Sequence, residues 1–183
     1  MEYIILGLLL LKSMTAYEIS SFTNKKLALI CSGSAGSVQI ALKKLLKNGH
    51  VSMSEFVQGG INKKVYAITP DGKAAFERWV SSPMQASKVK NMELSKLFFL
   101  GFAEEHSRIT AIEQYIGQLQ EVKNTLLAIK ALTFGANTPK HKEMHIANAE
   151  DIIAYQAATL DFGIDSAEFE INWYTQLLQR MKR

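Results

Sequence analysis

Apolar residues fill the chain from Tyr3 to Leu11 almost without a break, and thereafter they recur at helical spacing in blocks separated by small polar turns. The opening run predicts a short helix buried on all sides. Its roughly nine residues fall short of the roughly 20 that a membrane span requires. The basic n-region and small-residue cleavage site of a signal peptide are also missing.

After a short turn at Ser13-Met14, Thr15-Ala16-Tyr17-Glu18 has the form of a capping box, in which Thr15 bonds forward and Glu18 reaches back. A second helix is therefore predicted from Thr15, carried by Ile19 and Phe22 and ending in the solvent at Asn24-Lys25-Lys26. Cys31-Ser32-Gly33-Ser34-Ala35-Gly36 is a polar turn with Ser34 as the N-cap of a third helix. Val38, Ala41, Leu42 and Leu45 give that helix one apolar face, and Asn48-Gly49 ends it. A step of about 100° per residue then turns Gly36, Gln39, Ile40, Lys43 and Lys47 away from the core.

Alternation from Val51 to Val57, a Gly59-Gly60 turn and a return from Lys64 to Thr69 predict a β-hairpin, with Asn62-Lys63-Lys64 near its tip. Thr69 and Pro70 open a further helix as N-cap and first residue, running through Ala75, Phe76 and Trp79. Ser81-Ser82-Pro83 is the expected boundary, giving domains at 1–82 and 83–183. Strand signals stop there. Helices are predicted at about Met92 to Glu104, Ser107 to Phe134, Pro139 to Phe162 and Ser166 to Lys182, with Gly163 separating the last two. The fold class is mainly α with a small β-hairpin wing: a winged helix-turn-helix domain followed by a helical dimerisation domain.

Ile112, Ile116 and Leu119, with Ile171, Tyr174, Leu178 and Met181, form apolar seams that need partner helices and are the expected dimerisation residues.

Charge sharpens this division. Residues 1–90 hold 12 Lys+Arg against 5 Asp+Glu, a balance of +7; residues 91–183 hold 9 against 12, or −3, which together give the net +4. The first half is suited to a polyanion and the second is not. The single cysteine, Cys31, excludes an internal disulfide framework and favours a reducing compartment, so a cytoplasmic setting is expected.

Enzymatic readings find little support: there is no Gly-rich phosphate loop and no Gly-x-Ser-x-Gly elbow, and no His near Cys31 in sequence suggests an activated pair. His141 and His145 stand four apart, but Glu143 is misplaced for a His-Glu-x-x-His site and no further ligands follow. No catalytic residue, metal or cofactor is expected.

The first 80 or so positions resemble the PadR family of bacterial transcriptional regulators. The resemblance is carried in order by Ile5-Leu6-Gly7-Leu8-Leu9, Thr15-Ala16-Tyr17-Glu18-Ile19, Gly36-Ser37-Val38 with Ala41-Leu42-Lys43-Lys44-Leu45, and Lys64-Val65-Tyr66 with Ile68-Thr69-Pro70-Asp71-Gly72-Lys73. The long helical tail is of the size found in the subgroup that includes the phenolic-acid regulators, and matches loosely around Asn91-Met92-Glu93 and Trp173. Where the family usually has Tyr-Pro in its recognition helix, this chain has Gln39-Ile40, so the contact that the Tyr makes in relatives does not carry over.

The third helix is thus the expected reader of a major groove, with Ser34, Ser37, Gln39, Ile40 and Lys43 as DNA-binding candidates. Gln39 suits a bidentate contact to adenine, Ile40 a thymine methyl and Lys43 a phosphate. Lys63 and Lys64 would neutralise backbone charge from the wing. The expected partners are double-stranded DNA and a second copy of the chain, with no membrane. A homodimeric repressor of an inverted-repeat operator is the leading reading. The resemblance further implies a small aromatic or apolar effector, for which Trp79, Phe98, Phe99, Phe102, His106 and Trp173 are candidate pocket residues. The rival reading is a winged helix that binds an acidic partner protein with no sequence-specific hold on DNA.

Overall fold

A computed structural model describes residues 1–58, 61–84, 92–135 and 148–182. The chain divides into two compact units, Met1–Ser87 and Lys88–Arg183.

In the first unit the elements run α1 (Glu2–Leu11), β1 (Met14–Thr15), α2 (Ala16–Lys26), α3 (Ala35–Lys47), β2 (Val51–Gln58), β3 (Ile61–Ile68) and α4 (Pro70–Val80). Local chemistry sets most of these boundaries. The Thr15 backbone N–H donates to the Glu18 carboxylate at 2.7 Å while the Glu18 N–H donates to Thr15 Oγ1 at 3.2 Å, which is the capping box the sequence predicts. Thr69 caps α4 through Gly72 N–H, with Pro70 inside the first turn. At the end of α3, Gly49 adopts a φ of +71°, which lets Gly49 N–H reach Leu46 O and His50 N–H reach Leu45 O. That paired closure satisfies two helix-end carbonyls and turns the chain directly into β2.

The hairpin pairs antiparallel from Val51 opposite Ile68 to Gln58 opposite Ile61; the predicted Gly59-Gly60 turn lies outside the described residues. Met14 and Thr15 add an edge strand the sequence did not announce, pairing with Tyr66 and Val65 in the order β1-β3-β2. Two residues are too few for a periodic signal.

Ile5, Leu6, Leu8 and Leu9 of α1 pack with Ile19, Val38, Ala41, Leu42, Leu45 and Val51 in one core, onto which Tyr66, Ile68 and Phe76 close. Each fully buried aliphatic side chain stabilises this core by about 1.5–3 kcal/mol. The expectation that α1 is buried on all sides is corrected here. Tyr3 and Leu11 are exposed, because α4 covers only part of the helix and leaves Tyr3 stacked on the half-exposed Trp79 at 4.9 Å.

The second unit contains α5 (Met92–Phe99), a 3-10 turn (Leu100–Phe102), α6 (Glu105–Phe134) and α7 (Ala149–Met181). The helix predicted to reach Glu104 stops at Phe99 and tightens around Gly101, a poor helix former. Helices α6 and α7 lie antiparallel, since their contacts pair Lys130 with Asp161, Lys123 with Glu168, and Glu113 with Lys182. The predicted break at Gly163 is overturned: α7 runs through it. Leu160, Gly163, Ile164, Ala167 and Tyr174 are the buried residues of α7, so Gly163 lies on the packed stripe where tertiary contact outweighs its low propensity. The predicted helix start at Pro139, and His141, Glu143 and His145, lie outside the described residues.

Candidate nucleic-acid interface

The geometry of α3 follows from its two faces. Val38, Ala41, Leu42 and Leu45 are buried, and the same helical twist leaves Gly36, Gln39, Ile40, Lys43 and Lys47 exposed. Ile40 is 71% exposed, so its apolar side chain is open to a partner on this face. Ser34 Oγ accepts from Ser37 N–H at 3.2 Å, and the Ser37 hydroxyl donates back to Ser34 O at 2.9 Å. Both serines are therefore engaged in holding the first turn of α3.

The lysines on this helix differ. Lys44 Nζ donates to the Glu2 carboxylate at 2.7 Å, a bond that raises the Lys44 pKa. Among the described residues, Lys43 and Lys47 have no acidic partner within salt-bridge distance. Positive charge is thus left available beside Gln39 and Ile40, while Lys44 serves to tie α3 to α1.

On the wing, strand alternation places Lys63 and Lys64 on opposite faces. Lys64 Nζ lies 3.1 Å from the Glu55 carboxylate across the hairpin, and Asn62 Nδ2 donates to the same carboxylate at 2.9 Å. These bonds, Asn62 first and Lys64 second, hold the Glu55 carboxyl below its ordinary pKa. Lys63 is half-buried and adds to the positive field around Glu18. Sequence reasoning missed Glu55, because its proximity to Lys64 depends on strand register.

Side chains proposed for an effector fall into separate groups. Trp79 belongs to the first unit, stacked on Tyr3 with Phe76 5.8 Å away. In the second unit, Phe98, Phe99 and Phe102 form an exposed ladder with successive ring separations of 4.9 and 6.4 Å, and His106 is exposed nearby in sequence. Trp173 instead lines a groove of about 580 Å³ with Leu94, Phe162, Phe169 and Tyr174, into which Asp165 and Glu170 also face. Beside it the Tyr115 hydroxyl donates to Glu170 at 2.9 Å, and its pKa is raised, mainly by burial and then by that carboxylate.

Of the dimerisation candidates, Ile112 and Tyr174 are buried within the single chain, while Ile116, Leu119, Ile171, Leu178 and Met181 are half-buried. Cys31 is half-buried and its thiol pKa is raised by burial, the opposite of an activated nucleophile. Among the described residues no group of three or more His, Cys, Asp or Glu is placed to hold a metal, and no helix is long and apolar enough to cross a membrane.

Known proteins share this organisation. Residues 5–78 match the transcriptional regulator PadR-like family, and residues 89–182 match the virulence activator alpha C-terminal family. The negative transcriptional regulator PadR of Bacillus subtilis is 29% identical over 124 residues, which cover 66% of this chain and 66% of that protein, just short of two thirds of its length. The crystal structure of B. subtilis PadR with operator DNA superimposes with a TM-score of 0.80 at 20% identity, covering 98% of each chain. Its complex with p-coumaric acid gives 0.76 at 17% identity, covering 100% of this chain and 98% of that one. A helix-turn-helix unit with a hairpin wing, followed by a long helical pair, and a family match to each half, lead to one assignment: the chain belongs to the PadR-like family of transcriptional regulators.

Proposed function

We propose that this protein is a cytoplasmic, homodimeric repressor that reads an inverted-repeat operator with α3 and is released from it by a small aromatic or apolar effector. One observation carries the reading. Gln39, Ile40 and Lys43 stand exposed together on a helix whose other face is locked into the core, beside a first turn tied down by Ser34 and Ser37.

B-DNA admits one helix into its major groove, where a Gln pairs bidentately with adenine and an aliphatic group meets the thymine methyl. Lys43, Lys63 and Lys64 supply phosphate contacts that position the reader without choosing sequence. The likeness to a PadR solved on its operator supports this use of the fold.

A single winged helix makes few contacts, and two-fold pairing sets two readers about one helical turn, roughly 34 Å, apart. The helical half has area to spare for such pairing: Phe162, Phe169 and Tyr155 of α7 are exposed, and Ile116, Leu119, Ile171, Leu178 and Met181 are only partly covered. Exposed apolar surface of this kind is a usual mark of a protein interface. An effector that prefers one arrangement of the dimer would shift the spacing of its readers and so its hold on DNA. The complex of the B. subtilis relative with p-coumaric acid supports an aromatic ligand, with Trp173, Phe98, Phe99, Phe102, His106 and Trp79 as the residues to probe.

Selection from a pool of random duplexes tests the reading. Recovery of a two-fold symmetric consensus is expected, and recovery of no preferred sequence would favour a winged helix that binds an acidic protein instead.

A further inference from the structure

In the segment between α2 and α3, Leu27 packs on the core and Gly33 is bonded to side chains of α2. Asn24 Oδ1 accepts from Gly33 N–H at 3.0 Å, and Asn24 Nδ2 donates to Gly33 O at 3.0 Å. One side-chain amide thus engages both main-chain groups of one residue, as a neighbouring strand would. Ser20, one turn earlier on α2, donates its hydroxyl to the same Gly33 carbonyl at 2.6 Å. Gly33 immediately precedes Ser34, the N-cap of α3.

We propose that Asn24 is a positioning residue for DNA reading, clipping the peptide before the α3 cap to α2 and so fixing where the first turn of the reading helix stands. The proposal rests on α3 being the reader. The body of α3 is held independently by Val38, Ala41, Leu42 and Leu45 in the core. Loss of the Asn24 bonds therefore leaves the helix folded and loosens its leading end, where Ser34, Ser37 and Gln39 stand, while Ser20 and the contact with Thr23 still hold Gly33. Base-edge contacts tolerate about 0.5 Å of misplacement, whereas a lysine reaching for a phosphate tolerates far more. Specific binding should suffer and non-specific binding should not.

The experiment compares wild type with Asn24→Ala and Ser20→Ala. The readout is the ratio of dissociation constants for a random duplex and for the sequence that wild type selects, at one salt concentration. The salt slope of random-duplex binding and the thermal midpoint are followed alongside. If the stabilisation lost with these bonds reappears in full as the cost of ordering the first turn on the operator, the ratio falls by about tenfold for Asn24→Ala, which removes two bonds, and by about threefold for Ser20→Ala, which removes one, with the salt slope unchanged in both. Ser20→Ala keeps the test alive if Asn24→Ala does not fold. A ratio within about twofold of wild type in the folded variants, including the case in which affinity for every duplex falls together, overturns the clip alone. A wild-type protein that selects no sequence overturns the reading of α3, and the clip with it.

Discussion

A β-carbon built on Gly33 would lie 1.7 Å from the Thr23 hydroxyl oxygen, so the turn before α3 touches α2 with no room for a side chain. Thr23 cannot give way easily: it is fully buried, and its hydroxyl donates to Ile19 O and Ser20 O. Gly33→Ala should destabilise the first unit by about 1–3 kcal/mol through overpacking. Gly36 is the control, because a β-carbon there meets nothing within 4 Å. Gly36→Ala, in the first turn of α3, should stabilise by at most about 0.5–1 kcal/mol, the difference found in helix interiors. Urea unfolding of both variants checks the pair, and equal effects would contradict the packing described.

Glu55 tempers the wing. Its carboxylate is 3.1 Å from Lys64 Nζ, so part of that lysine's charge is spoken for before DNA arrives. Glu55→Gln should strengthen binding to random duplexes and steepen its salt dependence. Lys63→Ala with Lys64→Ala should weaken binding to all sequences alike, flattening the salt slope by about one unit per lysine in each subunit. A slope that moves in neither variant would remove the wing from the interface.

Acid sensitivity has a defined source at the start of α2. The Thr15 backbone N–H, then its hydroxyl, hydrogen-bond the Glu18 carboxylate and hold its pKa below the ordinary value of 4.5. A depressed folded-state pKa means that the unfolded chain takes up the proton first. The stabilisation is therefore complete above about pH 4.5 and is lost as the pH falls through the folded-state value. Wild type should melt above Glu18→Gln near neutrality, and the gap should begin to close near pH 4.5 and vanish below the folded-state value. A gap that stays constant into acid would contradict the capping role of the charge.

Phe162 and Phe169 are 73% and 67% exposed on α7, although both line a groove. If a second copy covers them, Phe162→Asp with Phe169→Asp should convert a dimer to a monomer in sedimentation while leaving helix content unchanged. A wild type that sediments as a monomer at micromolar concentration would contradict the pairing.

What the sequence disclosed was what short stretches decide for themselves. Thr15 with Glu18, Ser34 as an N-cap, Thr69 with Pro70, and Gly49 act within a few residues, and each does in the structure what its local pattern predicted. Contacts distant in sequence were not legible: Lys44 with Glu2, Lys64 with Glu55, and Met14 paired to Tyr66 all depend on how elements meet. Asn24 looked like a solvated helix end, because nothing in its neighbours signals the main chain of Gly33 nine residues on. Gly163 misled in the other direction, since a glycine on a packed stripe continues a helix that it would end in solvent.

The central claim is that the exposed face of α3 reads bases, twice per operator. Sequence selection with wild type and with Gln39→Ala tests it most directly. The expected result is a symmetric consensus in which the variant loses preference, by about 1–3 kcal/mol, only at one position in one half and at its mirror image in the other. An identical consensus from both proteins would contradict it.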